Sequence, residues 1–320
     1  MLTAFLFLAI GLAFLYFGGE GLVRGAAGLA LRLGLTPLAV GLTVVAFGTS
    51  TPELAVSLNA ALEGQGDVSM GNVVGSNIAN IGLILGLTAL IMPITVHLQL
   101  LKFDLPILIA VSIAFVLTVL DRSLGRIEGG VLFAGIILYT AIVLRLARRE
   151  GAAVKAEFAE GVSDDLPPPV TKLPVQIGLI AVGLVMLVAG GKLFVTGAVE
   201  LAQGLGIPEA VIGLTIVAIG TSLPELSASL VAAARGHSDI AVGNVVGSNL
   251  FNILSILGIT GLVQPITFEG IQFVDFAVML GFAIALFPML RTGSRLSRAE
   301  GIVLLAAYGG YVAWLGIQAQ

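Results

Sequence analysis

Cysteine is absent from the 320 residues, which excludes disulfides, thiolate metal centres and cysteine nucleophiles. Charge is scarce as well. Only 11% of the residues are Asp, Glu, Lys or Arg, against about 25% in ordinary soluble domains, so a water-soluble globule is excluded. The few Lys and Arg are scattered through a chain of net charge −4, which leaves no basic patch for a nucleic acid. The start, Met1-Leu2-Thr3, has no basic stretch before its apolar run, so the first segment is expected to be a retained span and not a cleaved signal peptide. What abounds is apolar sequence, 58% of the chain with a mean hydropathy of +1.09. The 42 glycines lie inside apolar segments without a G-X-Y period. The composition is that of a polytopic membrane protein.

Apolar runs between charges and turn residues predict ten spans near 3–23, 36–62, 69–92, 103–120, 127–146, 174–198, 208–234, 241–264, 272–290 and 299–317. Lipid offers no partner to open backbone groups, so these are expected to be helices. The stretch 148–172 carries Asp164-Asp165 and Pro167-Pro168-Pro169 and reads as a solvated linker between 1–147 and 173–320. With the N-terminus outside, 12 of the 15 Lys and Arg fall in inner loops, Arg122 and Arg126 in outer ones, and Lys192 within a span. The positive-inside rule therefore predicts both termini outside and the linker in the cytoplasm, and the plasma membrane is the expected location.

An internal duplication organises the whole chain. GLTVVAFGTSTPELAVSL from Gly41 returns as GLTIVAIGTSLPELSASL from Gly213, and GNVVGSNIANI from Gly71 returns as GNVVGSNLFNI from Gly243. The offset is 172 throughout, and 34 of 55 positions are identical when 41–95 is laid on 213–267 without a gap. Gly18-Gly19 maps likewise to Gly190-Gly191, and Arg126-x-Glu128 to Arg298-x-Glu300. Five spans per half is an odd number, so the second copy enters from the opposite side. Inverted repeats of this kind build secondary transporters with a substrate site at the midplane.

Glu53 and Glu225 fall mid-span, where a charge costs about 2.5–3.5 kcal/mol on insertion scales. Each follows a proline, Pro52 or Pro224, which removes the hydrogen bond to the carbonyl four residues back, that of Gly48 or Gly220. The expected result is a broken helix that gathers carbonyls, hydroxyls and a carboxylate. Ser50-x-x-Glu53 and Ser222-x-x-Glu225 also fit a capping box. Asn77 and Asn80, like Asn249 and Asn252, share a helix face and can serve the site or join helices. Gly71-x-x-x-Gly75 and Gly243-x-x-x-Gly247 permit close helix approach. Glu20 and Lys192, related by the offset, are read as structural charges near span ends, and His97 and His237 as surface loop residues. The site is thus all oxygen, and lack of Cys and intramembrane His argues against zinc or copper. Calcium accepts six to eight oxygens in flexible geometry, whereas magnesium demands strict octahedral order. The formal −2 of two glutamates matches one Ca²⁺, two monovalent ions or two protons.

The paired motifs GTSTPEL with GNVVGSNIANI and GTSLPEL with GNVVGSNLFNI resemble the α-repeats of the cation/calcium antiporter superfamily, most closely its prokaryotic sodium/calcium exchangers. The resemblance covers essentially the entire chain and implies an all-α fold of ten transmembrane helices in two inverted five-helix repeats, with broken helices at the midplane. It implies cation binding by Glu53 and Glu225, with Asn80 and Asn252 beside them. The hydroxyls of Ser50, Ser76, Ser222 and Ser248 and the backbone carbonyls of Thr49, Thr221, Ala46 and Ala218 are implied as further ligands. Spans one and six would slide across the remaining core. Potassium-dependent members carry aspartate where this sequence has Asn252, so K⁺-independent exchange is expected. The implied activity is electrogenic antiport of Ca²⁺ for Na⁺, with H⁺/Ca²⁺ exchange as the alternative and a passive channel or an intramembrane serine hydrolase as rivals. No cofactor is expected, the partners being the two ions and the bilayer, and one copy suffices for transport.

Overall fold

The computed structural model describes residues 2–160, 172–205, 220–291 and 293–318. Its helices are α1 (Leu2–Leu33), α2 (Pro37–Thr49), α3 (Thr51–Leu62), α4 (Gly66–Ile91), α5 (Leu100–Thr118) and α6 (Arg126–Glu160) in the first half. The second half supplies α7 (Leu173–Gly204), α8 (Leu223–Ala234), α9 (Ser238–Val263), α10 (Phe273–Arg291) and α11 (Arg298–Gln318). Eight of these helices are long and apolar enough to cross a membrane, and α2 with α3, bent by 46° at Ser50, makes a ninth span among the described residues. The expected span 208–234 is represented by α8, and residues 206–219 lie outside the described ones.

Several boundaries differ from expectation for visible reasons. The first helix runs on past Arg24 and Arg32 and stops only where Gly34 takes φ +64°, a conformation that costs glycine little. The sixth helix, α6, likewise continues past Arg148, to Glu160.

Four two-residue strands show the inversion directly. Strand β1 (Ile94–Thr95) pairs antiparallel with β4 (Arg295–Leu296), and β2 (Ser123–Leu124) with β3 (Ile266–Thr267). Adding 172 to Ile94↔Leu296 yields the register Ile266↔Leu124, so the repeat maps one ribbon onto the other. Helix α5 spans between β1 and β2, which puts the ribbons at opposite ends of the molecule. We call these ends the termini face, carrying β2 and β3, and the linker face, carrying β1 and β4.

Helices α1 and α7 pack antiparallel along glycines spaced by seven. A Cβ on Gly11 would lie 2.9 Å from the Gly190 carbonyl oxygen, and one on Gly18 would lie 2.9 Å from that of Gly183. These two contacts are images of each other under the 172 offset. Gly25 against Gln176 and Gly197 against Ala4 complete the seam. In lipid, where burying apolar surface drives little, such close backbone approach is what joins helices. The glycine pair Gly243 and Gly247 does the same for α9 against Leu38–Ala46 of α2.

Two further buried acids, unremarked in the sequence, sit at the starts of α5 and α10. Tyr139 donates to Asp104 Oδ1 at 2.9 Å and Tyr311 to Asp275 Oδ1 at 2.7 Å. Burying a carboxylate is costly unless it is hydrogen-bonded, and the offset relates the two tyrosines, so each half anchors a span in the same way.

Candidate ion-binding site

Both breaks have the same local geometry. Ser50 (φ −84°, ψ 7°) sits between two helical segments and Ser222 has nearly the same backbone angles (φ −87°, ψ 5°); each is followed by a helix whose first turn carries proline and then glutamate. Glu53 and Glu225 thereby lie at helix N-termini, whose partial positive charge favours a carboxylate. Each is 1% exposed. No capping box forms: neither Ser50 nor Ser222 bonds its own helix end through its side chain. The Ser50 hydroxyl instead crosses the molecule and donates to Glu225 Oε1 at 2.9 Å. Sequence spacing cannot reveal that partner, because it comes from the other half.

Asn80 and Asn252 begin wide π-helical turns, Asn80–Leu85 and Asn252–Ile256, a feature frequent at functional sites. Their amides are held by the other two asparagines of the motif. Asn80 Nδ2 donates to Asn249 Oδ1 at 2.9 Å, and Asn252 Nδ2 donates to Asn77 Oδ1 at 3.0 Å. Each holder comes from the opposite half. With both amino groups engaged, the Oδ1 atoms of Asn80 and Asn252 are buried without a partner. The same holds for Glu53 Oε2, Glu225 Oε2, Ser222 Oγ and Ser248 Oγ. Buried polar atoms are nearly always satisfied, so these six orphaned oxygens, four on repeat-paired Glu and Asn residues and two on serines of the second half, call for an occupant. Oxygens alone, two of them carboxylate, suit a hard cation.

The remaining expected residues divide. Thr49 is buried, but its hydroxyl donates to Val45 O at 3.1 Å and lies 3.1 Å from Asn244 Oδ1, while Ala46 O accepts the Ser50 N–H at 3.0 Å. Ser76 and Thr221 line a cavity of about 460 Å³ together with Val56, Asn72, Gly270 and Asp275. Its lining runs from Gly270, just past β3 on the termini face, to Thr221 beside Ser222. Ala218 lies outside the described residues. Among the described residues no three His, Cys, Asp or Glu form a metal-ligating group, so neutral oxygens must supplement the two carboxylates.

Sequence reasoning passed over Asn72 and Asn244. Asn72 Nδ2 donates to Glu53 O at 3.1 Å and Ser57 Oγ at 2.8 Å, and Asn244 Nδ2 to Glu225 O at 3.3 Å and Ser229 Oγ at 3.0 Å. They pin each glutamate-bearing helix to its neighbour, and their recurrence at the 172 offset was the available signal. Glu20 has a structural, ion-paired role, its partner being Arg235 at 2.8 Å. One peripheral reading changes. His237 is half-buried at the start of α9 instead of lying on the surface, and His97 comes within 3.4 Å of Asp239.

The profile of the family described as sodium/calcium exchanger protein matches residues 3–145 and 175–316. The chain belongs to the sodium/calcium exchanger family. CaxA of Alkalimonas amylolytica is 40% identical over 315 residues, covering 97% of this chain and 98% of the relative. The sodium/calcium exchanger MaX1 of Methanosarcina acetivorans is 34% identical over 342 residues, covering 96% and 97%. The solved structure of the sodium-calcium exchanger NCX_Mj soaked with zero Na⁺ and Ca²⁺ superposes with a TM-score of 0.83 at 32% identity, covering 98% of this chain and 99% of that one. This exchanger-family chain is accordingly a multi-pass membrane cation antiporter and not an enzyme. Its fold is the ten-helix inverted-repeat exchanger fold.

Proposed function

We propose that the chain exchanges Ca²⁺ for Na⁺ by alternating access, independently of K⁺. Glu53 and Glu225 act as the shared charged ligands, completed by Asn80, Asn252, Ser50, Ser222, Ser76 and Ser248 and by the carbonyls of Thr49, Thr221, Ala46 and Ala218. The carrying observation is the set of six buried oxygens without partners, contributed by both halves. A site of formal charge −2 is neutralised by one Ca²⁺, while three Na⁺ leave +1, so 3:1 exchange moves one net charge per cycle. At 100 mV that charge is worth about 2.3 kcal/mol. An empty site leaves two buried carboxylates uncompensated and resists closure, which couples the counter-fluxes. The functional units are 1–147 and 173–320, joined by 148–172. The positive-inside count supports both termini outside, which in the plasma membrane makes the 460 Å³ cavity an extracellular entrance.

The test is ⁴⁵Ca²⁺ uptake into proteoliposomes loaded with Na⁺, with choline at matched pH, or with an imposed pH gradient. Uptake is expected only with internal Na⁺. Uptake driven by the pH gradient without Na⁺ would reassign the chain to proton coupling, and flux without any counter-ion would make it a channel.

A further inference from the structure

The two halves match in sequence but not in packing. Helix α1 lies along α8: Ser227 Oγ donates to Leu15 O at 2.6 Å, a Cβ on Gly19 would sit 3.1 Å from Val231 Cγ2, and Glu20 closes the run on Arg235 at 2.8 Å. The offset turns these into contacts of α7 with Ala55 and Asn59 of α3 and with Glu63 just beyond it. None of them is made. Gly191, the image of Gly19, has Gly220 O, Leu223 Cβ and Pro224 Cδ as its neighbours, at 3.7–3.8 Å. Ala55, Asn59 and Glu63 are exposed, whereas Ser227, Val231 and Arg235 are covered wholly or in part. Val56 is 38% exposed and lines the termini-face cavity, and its image Ala228 is 1% exposed. The joined pair α1 and α7 thus seals the linker face and leaves the termini face open.

The charges at the ends of these two runs are images with their signs exchanged. Glu20 maps to Lys192, and Arg235 maps to Glu63. Lys192 and Glu63 are both exposed, and Glu63 accepts only a 3.2 Å hydrogen bond from Gln65 Nε2. We propose that the exchanger carries two alternating ion-pair latches: Glu20–Arg235, closed here at the linker face, and Lys192–Glu63, which closes when α1 and α7 shift to seal the termini face. The reversed order is functional. The two latches sit at opposite faces, and the moving helix pair carries no net charge from these two residues. In a half-buried site one latch must break before the other forms, so each biases the equilibrium between the two states.

This inference rests on the antiporter reading. The native absence of cysteine permits a direct test with single reporters, Val56→Cys for the termini-face path and Ala228→Cys for the linker-face path, labelled by an impermeant maleimide in vesicles of defined orientation. Glu20→Gln is expected to raise labelling of the Ala228→Cys reporter and lower that of the Val56→Cys reporter by about two- to fivefold, the range of a weak ion pair. Lys192→Gln is expected to do the reverse, and the exchange Glu20→Arg with Arg235→Glu to restore the parental pattern. Parallel loss of both signals with reduced yield of folded protein would make Glu20 merely structural and overturn the proposal, as would unchanged labelling in Lys192→Gln. Absent ⁴⁵Ca²⁺ flux in the parent with the reciprocal shifts intact would refute the substrate assignment and keep the latches.

Discussion

Removing the Asn77 side chain tests whether the site depends on residues that do not themselves bind the ion. Asn77 Oδ1 is the acceptor for Asn252 Nδ2 at 3.0 Å, and both residues are buried. In Asn77→Ala the Asn252 amide is free to rotate in the empty site and turn its NH₂ group toward the glutamates. Binding a cation then requires turning Oδ1 back and leaving the NH₂ buried without a partner, which costs about 1–3 kcal/mol. The cost falls on the ion-bound state, so it appears as affinity: at 1.4 kcal/mol per decade the KM for Ca²⁺ rises roughly 5- to 150-fold. Asn249→Ala should match it, since Asn249 Oδ1 holds Asn80 at 2.9 Å. The assay is Na⁺-dependent ⁴⁵Ca²⁺ uptake over a Ca²⁺ titration, alongside thermal unfolding in detergent to confirm the fold. A parental KM in both variants, with normal yield, would refute the orienting role of these asparagines.

Glu53→Gln and Glu225→Gln each remove half the charge of the site, and because a divalent ion loses twice the Coulomb energy of a monovalent one, coupled exchange is expected to vanish in both; normal Na⁺-driven Ca²⁺ flux would sink the assignment. Ser50→Ala deletes the 2.9 Å bond to Glu225 and should change ion affinity about five- to tenfold, one ordinary hydrogen bond's worth, without ending transport. Complete inactivity with a folded protein would count against that role. Gly18→Ala pushes a methyl group to 2.9 Å from Gly183 O and Leu187 N, overpacking worth about 1–3 kcal/mol, and should lower the thermal midpoint. Gly178→Ala meets nothing within 4 Å and should raise it slightly, so equal effects of the two would contradict the seam.

The sequence alone determined the membrane class, the duplicated halves and the two mid-span glutamates, because hydropathy, a fixed offset of 172 and acids beside mid-span prolines are local or repetitive signals. It also named both pairs of amides. It could not say whose partner was whose. Ser50 answers to Glu225, Asn77 to Asn252 and Glu20 to Arg235, and every one of these contacts joins opposite halves. Spacing along a helix reports neighbours on that helix, so it suggested a capping box at Ser50 where a cross-molecule bond exists. The repeat made the halves look equivalent, yet only one face can be sealed at a time. Tertiary structure decided which, by laying α1 on α8 and leaving the run of Ala55, Asn59 and Glu63 exposed, since one rigid glycine-seamed helix pair cannot cover both runs at once.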